Sequence, residues 1–458
     1  MRKHYRVAII GAGPSAIFSA LTLSEAGIKD IALFERGKDI HERKRDRGME
    51  LLCGWGGAGA FSDGKLTLSP LVGGFLTDLI PRVEMMKLLK KADEIWPSFG
   101  APNEIHGRST DKTEALYLEA KLVGLEFVPM EIRHVGTENG VPLLRNIRQA
   151  LEGKVEVFFE TPVKEILVVN QQVEGVCLQD GTRIQADYVV CGPGRVGAAW
   201  IQKEVKRLGI PSIPSPVDIG VRVEAPASIL CKLTDLAYEA KLIYYSKTFD
   251  DKVRTFCMNP FGEVVTETVG EIITVNGHSY ASKRTENTNF AILVSSTFTE
   301  PFDDPIGYGK YIARLANLLG NNVIVQRLGD LLDGRRSTPE RVDRCLTRPT
   351  LTSATPGDLS FVLPYRHLKS IMEMLETLDR ITPGIFSRHT LLYGVEVKFY
   401  TNRVKLSPEL ETNVKNLFLI GDGAGITRGL MQASISGMVA AKALLKRETG
   451  RFGRTIDA

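Results

Sequence analysis

The feature that most constrains this chain is a pair of glycine-rich loops, one behind its first strand-like run and one behind its last. Val7–Ile10 is a short β-branched apolar run, suited to a strand buried on both faces. Gly11-Ala12-Gly13-Pro14-Ser15-Ala16 follows, and then Ile17, Leu21, Leu23 and Ala26 in a helical pattern. Gly11 permits a tight turn, Gly13 lets the backbone approach a pyrophosphate, and Ala16 allows close helix–strand packing. The helix start supplies free N–H groups and a partial positive charge for phosphates. Gly11, Gly13, Pro14, Ser15 and Ala16 are therefore cofactor-binding candidates. A second strand, Ile31–Phe34, ends in Glu35 and Arg36. A carboxylate roughly 20 residues after the glycines is placed to grip ribose hydroxyls. A glycine turn alone is common in ordinary βα units, so the reading rests on strand, loop, helix, strand and acid in this order.

The closing stretch, Asn416 to Gly437, reads as the other wall of the same site. Leu417–Ile420 is a buried strand, and Asp422 follows Gly421 at its carboxyl end, where open α/β sheets bind ligands. Asp422 is placed to hold a polyol hydroxyl such as that of ribitol. Gly421, Gly423, Gly425, Ile426 and Thr427 complete this group of candidates, and Gly429 also leaves backbone exposed. The helix after Thr427 is expected to aim its positive end at an electron-rich ring. The plainer alternative is a glycine-rich start to a buried helix. A nicotinamide-only domain has no need of a second wall, whereas a flavin dinucleotide does, so the expected cofactor is FAD.

Between these loops the chain reads as α/β: a discontinuous Rossmann-like FAD-binding domain, residues 1–210 and 393–458, with an inserted α+β substrate or cap domain, residues 211–392. Arg82–Trp96 and Pro142–Leu151 have helical patterns, and Val155–Phe159 reads as a strand. Val163 to Val190 has β-rich runs and a turn at Gln179-Asp180-Gly181, hence a meander. It ends in a strand entering Gly192-Pro193-Gly194-Arg195. Gly192 and Gly194 suit backbone close to a cofactor, or equally a plain turn. Pro211, Pro214 and Pro216 mark the crossover. Beyond it, Ile219–Val223, Val253–Met258 and Phe290–Ser295 are strand-like, and Gly309–Leu319 and Arg366–Leu378 helix-like.

Composition excludes several classes. The chain has 458 residues, 43% hydrophobic and 24% charged, ordinary for a globular protein of two or three domains. A net charge of +4 does not point to nucleic acid. The densest basic run, His41 to Arg47, reads as a solvated helix face near the cofactor, with one arginine, Arg43, reaching a phosphate. Six scattered cysteines without a CxxC pair give neither a disulfide framework nor a metal site. No apolar run approaches the roughly 20 residues of a membrane span, and a cytoplasmic location is expected. Basic Met1–Arg6 before an apolar run superficially resembles a leader peptide, but the glycines, Pro14 and Glu25 that interrupt the run speak against one.

With these residues in view, the chain resembles the FAD-dependent dehydrogenases of the glutathione-reductase-like flavoprotein superfamily, and more closely one branch of them. The matching strings are GAGPSA (Gly11 to Ala16), CGWGGAGAFSDGKL (Cys53 to Leu66), HVGTE (His134 to Glu138), RTFCMNPFGEVV (Arg254 to Val265), TVNGHS (Thr274 to Ser279), YGVEVKFY (Tyr393 to Tyr400) and GDGAGITRGLMQAS (Gly421 to Ser434). The resemblance implies that Val163 presents its backbone to the adenine and that Gly56 and Gly57 line the flavin side of their loop. Members often carry a second cysteine two positions after the one matching Cys257. Asn259 stands there in this chain, which argues against a dithiol or metal role.

The expected chemistry is hydride transfer between a small-molecule substrate in an inter-domain cleft and the flavin. No second GxGxxG motif appears in the inserted domain, so NAD(P)H docking briefly, the substrate itself, or an electron-transfer protein supplies or removes electrons. The candidate catalytic residues are His278, Lys398, Arg428 and Cys257. His278, in the turn-like Asn276-Gly277-His278-Ser279, is a candidate general acid or base, because an unperturbed imidazole titrates near neutrality. Lys398 and Arg428 are candidate holders of water or an anionic substrate group. Cys257 is a candidate thiol, or a small packed hydrophobe. Three other readings belong to different classes: a flavin monooxygenase, an enzyme acting on an RNA base, and a binding protein that kept the fold without redox chemistry.

Overall fold

The computed structural model describes residues 1–44, 48–237, 240–269, 271–280, 283–298, 301–302 and 304–454. The chain folds as two compact units, Met1–Glu104 with Arg133–Ser215 and Thr401–Ala458, and Ile105–Ile132 with Pro216–Tyr400.

The first unit is built on a seven-stranded sheet. Its opening strand β1 (His4–Ile10) lies between β2 (Ile31–Phe34) and Arg183–Cys191, parallel to both. Glu156–Phe158 extends the sheet beyond β2, and Leu417–Leu419 pairs in parallel with the carboxyl end of Arg183–Cys191. The other end of that strand carries the antiparallel meander Val163–Val169 and Gln172–Leu178. Val7, Ala8, Ile9, Val189, Val190 and Leu417–Leu419 are all buried, as strands covered on both faces require. Helix α1 (Pro14–Glu25) covers one face. It meets the closing helix, Leu430–Arg454, so closely that a Cβ on Gly437 would stand 1.9 Å from the Ser15 carbonyl oxygen.

The second unit is an eight-stranded, almost wholly antiparallel sheet. Val217–Pro226 lies near its centre, between Leu391–Lys398 and Asn287–Ser296. Strand alternation sends Val217, Ile219, Val221, Val223 and Ala225 into an apolar core shared with the helix Tyr365–Asp379. It sends Asp218, Arg222 and Glu224 to the opposite face, and these too are buried. The separate hairpin Glu263–Val269 and Ile272–His278 lies over that face: a Cβ on Gly277 would come within 2.5 Å of Arg222 and Asn259 side-chain nitrogens.

Three expectations change. The return to the first unit falls at Thr401 rather than 393, because Leu391–Lys398 is hydrogen-bonded into the second unit's sheet on both edges. Residues 105–132 join the second unit, where Glu126–Val128 pairs with Lys241–Ile243. Asn276–His278 is strand, not turn, since its backbone pairs with Glu263–Val265.

Candidate functional site

In the first unit the opening and closing motifs converge on Ser15, which is buried. A Cβ on Gly421 would stand 2.5 Å from the Ser15 hydroxyl, and one on Gly192 2.9 Å. Gly11 (φ +93°) is held between strands: its N–H donates to Phe34, and a Cβ would lie 2.3 Å from the Gly192 carbonyl oxygen. Gly13 differs. It caps α1 without a side-chain hydrogen bond, and a Cβ there would meet nothing within 4 Å. With Pro14 at the first helical position, the N–H groups of Ser15 and Ala16 belong to the uncapped first turn. A side-chain-free approach to an uncapped helix start fits a pyrophosphate.

Glu35, buried at the end of β2, accepts the backbone N–H groups of Ala12 (2.8 Å), Gly37 (2.8 Å) and Gly54 (3.1 Å). The Cys53 thiol also points to its Oε1, at 3.4 Å. Burial and the Glu35 charge push that thiol up to about 12. Arg36 is exposed. The Thr161 N–H donates to the Glu35 carbonyl, which brings Val163, two residues on, to the carboxylate end of β2. Gly56 and Gly57 both have positive φ, and the Gly56 N–H donates to Ala12.

Arg43 does not lie on a solvated helix face. It is buried, and its guanidinium donates to the carbonyls of Glu50, Leu51, Trp55 and Gly57. Burial lowers it to about 10. A cation set against carbonyl dipoles pins the glycine loop rather than reaching outward. Arg45, Asp46 and Arg47 of the same run lie outside the described residues.

The closing loop brings Asp422 to the carboxyl end of its strand. Burial raises its carboxyl, while Arg195 (3.8 Å), the Thr427 hydroxyl (2.7 Å) and Arg428 hold it down. Arg195 is a neighbour the sequence did not single out. Gly423 faces Pro193 and Gly194, and Gly425 (φ +73°) faces the Thr401 and Asn402 carbonyls. Ile426 is buried and accepts the Phe75 N–H. The Arg428 guanidinium lies 4.6 Å over the Phe75 ring.

The other catalytic candidates belong to the second unit. Arg222 and Glu396, both fully buried, form a two-pronged pair at 2.8 Å each. Glu396 also receives Lys398 at 3.0 Å, and the same ammonium lies 3.8 Å from Glu267. Cys257 sits at a bulge with φ +46°, and its carbonyl takes hydrogen bonds from Arg222 and Asn259 at 3.1 Å each. Asn259 is thus a structural partner of the Cys257 backbone. His278 ends the hairpin strand, half-buried. Beside this network, Asp218 binds Arg254 (2.6 Å), Tyr400 (2.5 Å) and Ser295 (2.7 Å). Desolvation raises the Asp218 carboxyl, and Arg254 with the hydroxyls more than reverses this, leaving it below its ordinary value. Sequence reasoning missed Asp218, Arg222, Arg254 and Glu396. Their signal was charge at alternate positions of a Val/Ile strand, which ordinarily marks a solvated face.

A family model described as "FAD-dependent protein, C-terminal domain-like" matches residues 216–399. That description carries the cofactor read from the two glycine loops. An uncharacterized protein of Clostridium beijerinckii is 27% identical over 480 residues, covering 96% of this chain and 81% of that one. Among solved structures, glycine oxidase from Bacillus cereus aligns over 97% of this chain and 95% of its own at 14% identity, with a TM-score of 0.40. L-proline dehydrogenase from P. horikoshii aligns over 97% and 94% at 11% identity, with a TM-score of 0.42. No helix among the described residues is long and apolar enough to cross a membrane.

Proposed function

We propose that this chain is an FAD-dependent oxidoreductase that moves a hydride between a small-molecule substrate and bound FAD. The observation that supports it most is the meeting of the opening and closing loops at Ser15, which puts an uncapped helix start, a buried ribose-type carboxylate and Asp422 into one unit. FAD supplies the redox chemistry, accepting or donating the hydride. The protein's own residues bind and orient. Gly11, Gly13, Pro14, Ser15 and Ala16 receive the pyrophosphate. Glu35, with its oxygens fixed by backbone N–H groups, takes the adenosine ribose, beside Arg36 and the Val163 backbone. Asp422 takes the ribitol, and Gly56, Gly57, Gly192, Gly194, Gly421, Gly423, Gly425, Ile426 and Thr427 leave backbone open to the cofactor. Arg43 holds the loop that carries Gly56 and Gly57.

For the substrate, Lys398 is the strongest of the four catalytic candidates. Two carboxylates hold its ammonium in place, ready to orient an anionic or carbonyl group. His278 and Arg428 are proposed as proton and anion holders, and Cys257 as a shaping residue through its backbone. Electrons arrive from NAD(P)H docking briefly, from the substrate, or from a partner protein. Titration of flavin-free protein with FAD, FMN and NAD+ tests the cofactor assignment. The reading predicts one FAD per chain, with FMN and NAD+ at least about 100-fold weaker because each lacks half of the contacts. A preference for NAD+ would overturn it.

A further inference from the structure

The second unit holds a cavity that the redox chemistry does not use. It has a volume of about 280 Å³ and is lined by Tyr244, Lys247, Lys369, Glu373, Glu376, Thr377 and Arg380. All belong to this unit. Tyr244 lies on the strand Lys241–Tyr245 with its ring in the apolar core, and the helix Tyr365–Asp379 supplies Lys369, Glu373, Glu376 and Thr377. Tyr244 is only 4% exposed, yet its hydroxyl has no hydrogen-bond partner. Leaving a buried hydroxyl unpaired costs about 1–3 kcal/mol, so this one calls for an acceptor.

The charges around it say what kind. Glu373 is already saturated: it accepts the Lys247 N–H at 2.8 Å, the Thr248 N–H and hydroxyl, and has Lys369 at 3.7 Å. Lys247 and Arg380, both exposed at the rim, form no ion pair among the described residues. Glu376, also exposed, is the other carboxylate among the described lining residues. The lining therefore includes a buried residue with an unpaired hydroxyl, Tyr244, and three cations, Lys247, Lys369 and Arg380. We propose that it binds a phosphate group, free or as the monoester of a small metabolite, at a site separate from the dinucleotide cradle. The volume approaches the roughly 300 Å³ lower limit of small-molecule pockets, which leaves room for a short organic tail.

The test is calorimetric titration of the full chain, saturated with FAD so that the phosphate-binding loop is filled, using inorganic phosphate and glycerol phosphate as probes. Saturable binding is expected, with Tyr244→Phe and Arg380→Gln each weakening it about tenfold and leaving FAD affinity unchanged. Tighter binding of glycerol phosphate assigns a monoester, and tighter inorganic phosphate the free ion. Tyr244→Phe keeps the ring and so preserves the core, which an unchanged unfolding midpoint verifies. No saturable binding of either probe, or binding that both variants retain in full, would overturn the proposal. The same titration on protein without flavin, read as the part of the binding that Tyr244→Phe and Arg380→Gln remove, does not depend on the cofactor assignment.

Discussion

Gly421 stands directly over Ser15: a Cβ added to Gly421 would lie 2.5 Å from the Ser15 hydroxyl and 3.1 Å from its Cβ. The two residues come from opposite ends of the chain. Their contact makes the first and last glycine loops parts of a single construction, with no room for a side chain at the junction.

This gives a contrast between two glycines. Gly421 has φ +70° and ψ −165°, a region essentially closed to other residues. Gly421→Ala is expected to destabilise the first unit by about 3 kcal/mol or more. Gly13 has φ −79°, and nothing lies within 4 Å of an added Cβ. Gly13→Ala should lose about 1 kcal/mol at most, as a weaker helix cap, while binding FAD at least about tenfold less tightly, since the methyl enters the space meant for the pyrophosphate. Urea unfolding beside flavin titration separates the two effects.

The Cys53 thiol, raised to about 12 by burial and by Glu35, should resist alkylation. At pH 8 its rate with iodoacetamide is expected to be at least about 100-fold below that in the unfolded chain, because the thiolate is the reacting form. Glu35→Gln should raise the rate. Peptide mass spectrometry of time points reads both.

His367 is buried on the helix Tyr365–Asp379, beside Ser296 at 3.0 Å, and burial lowers it to about 4. The unfolded chain takes up this proton near pH 6.5 and the folded chain only near 4. Stability therefore falls as pH drops from about 6.5 towards 4, by about 3 kcal/mol in all. His367→Gln should remove this part of the acid destabilisation, seen as a flatter dependence of unfolding free energy on pH between 6.5 and 4.5.

Arg222 and Glu396 are each 0% exposed. Arg222→Met leaves a buried carboxylate with Lys398 as its remaining ion-pair partner among the described residues and should destabilise the second unit by about 3–5 kcal/mol. Replacing both, with Met and Gln, should recover much of that loss. A double-mutant cycle of unfolding free energies measures the coupling.

How much of this was legible depended on how local each cause was. The β1 strand, its glycine loop, α1 and Glu35 were readable because their spacing is fixed by short-range geometry. The meander and the closing strand were readable for the same reason. Residues 105–132 were not, because their place depends on pairing with a strand far along the chain. Asn276-Gly277 reads as a turn, but Gly277 is needed there for clearance over Arg222. Arg43 lay in a charged run, and only the carbonyls that the loop turns towards it explain its burial. The second unit's polar face was hidden for a similar reason: alternation identifies the strand, while the hairpin that covers it comes from elsewhere.

The most direct test is the visible spectrum of the purified protein, followed by identification of any flavin released on heating. A yellow protein that yields close to one FAD per chain, and whose colour bleaches under anaerobic conditions with NADPH, NADH or a reduced substrate, is the predicted result. A colourless protein that cannot be reconstituted with FAD would contradict the account.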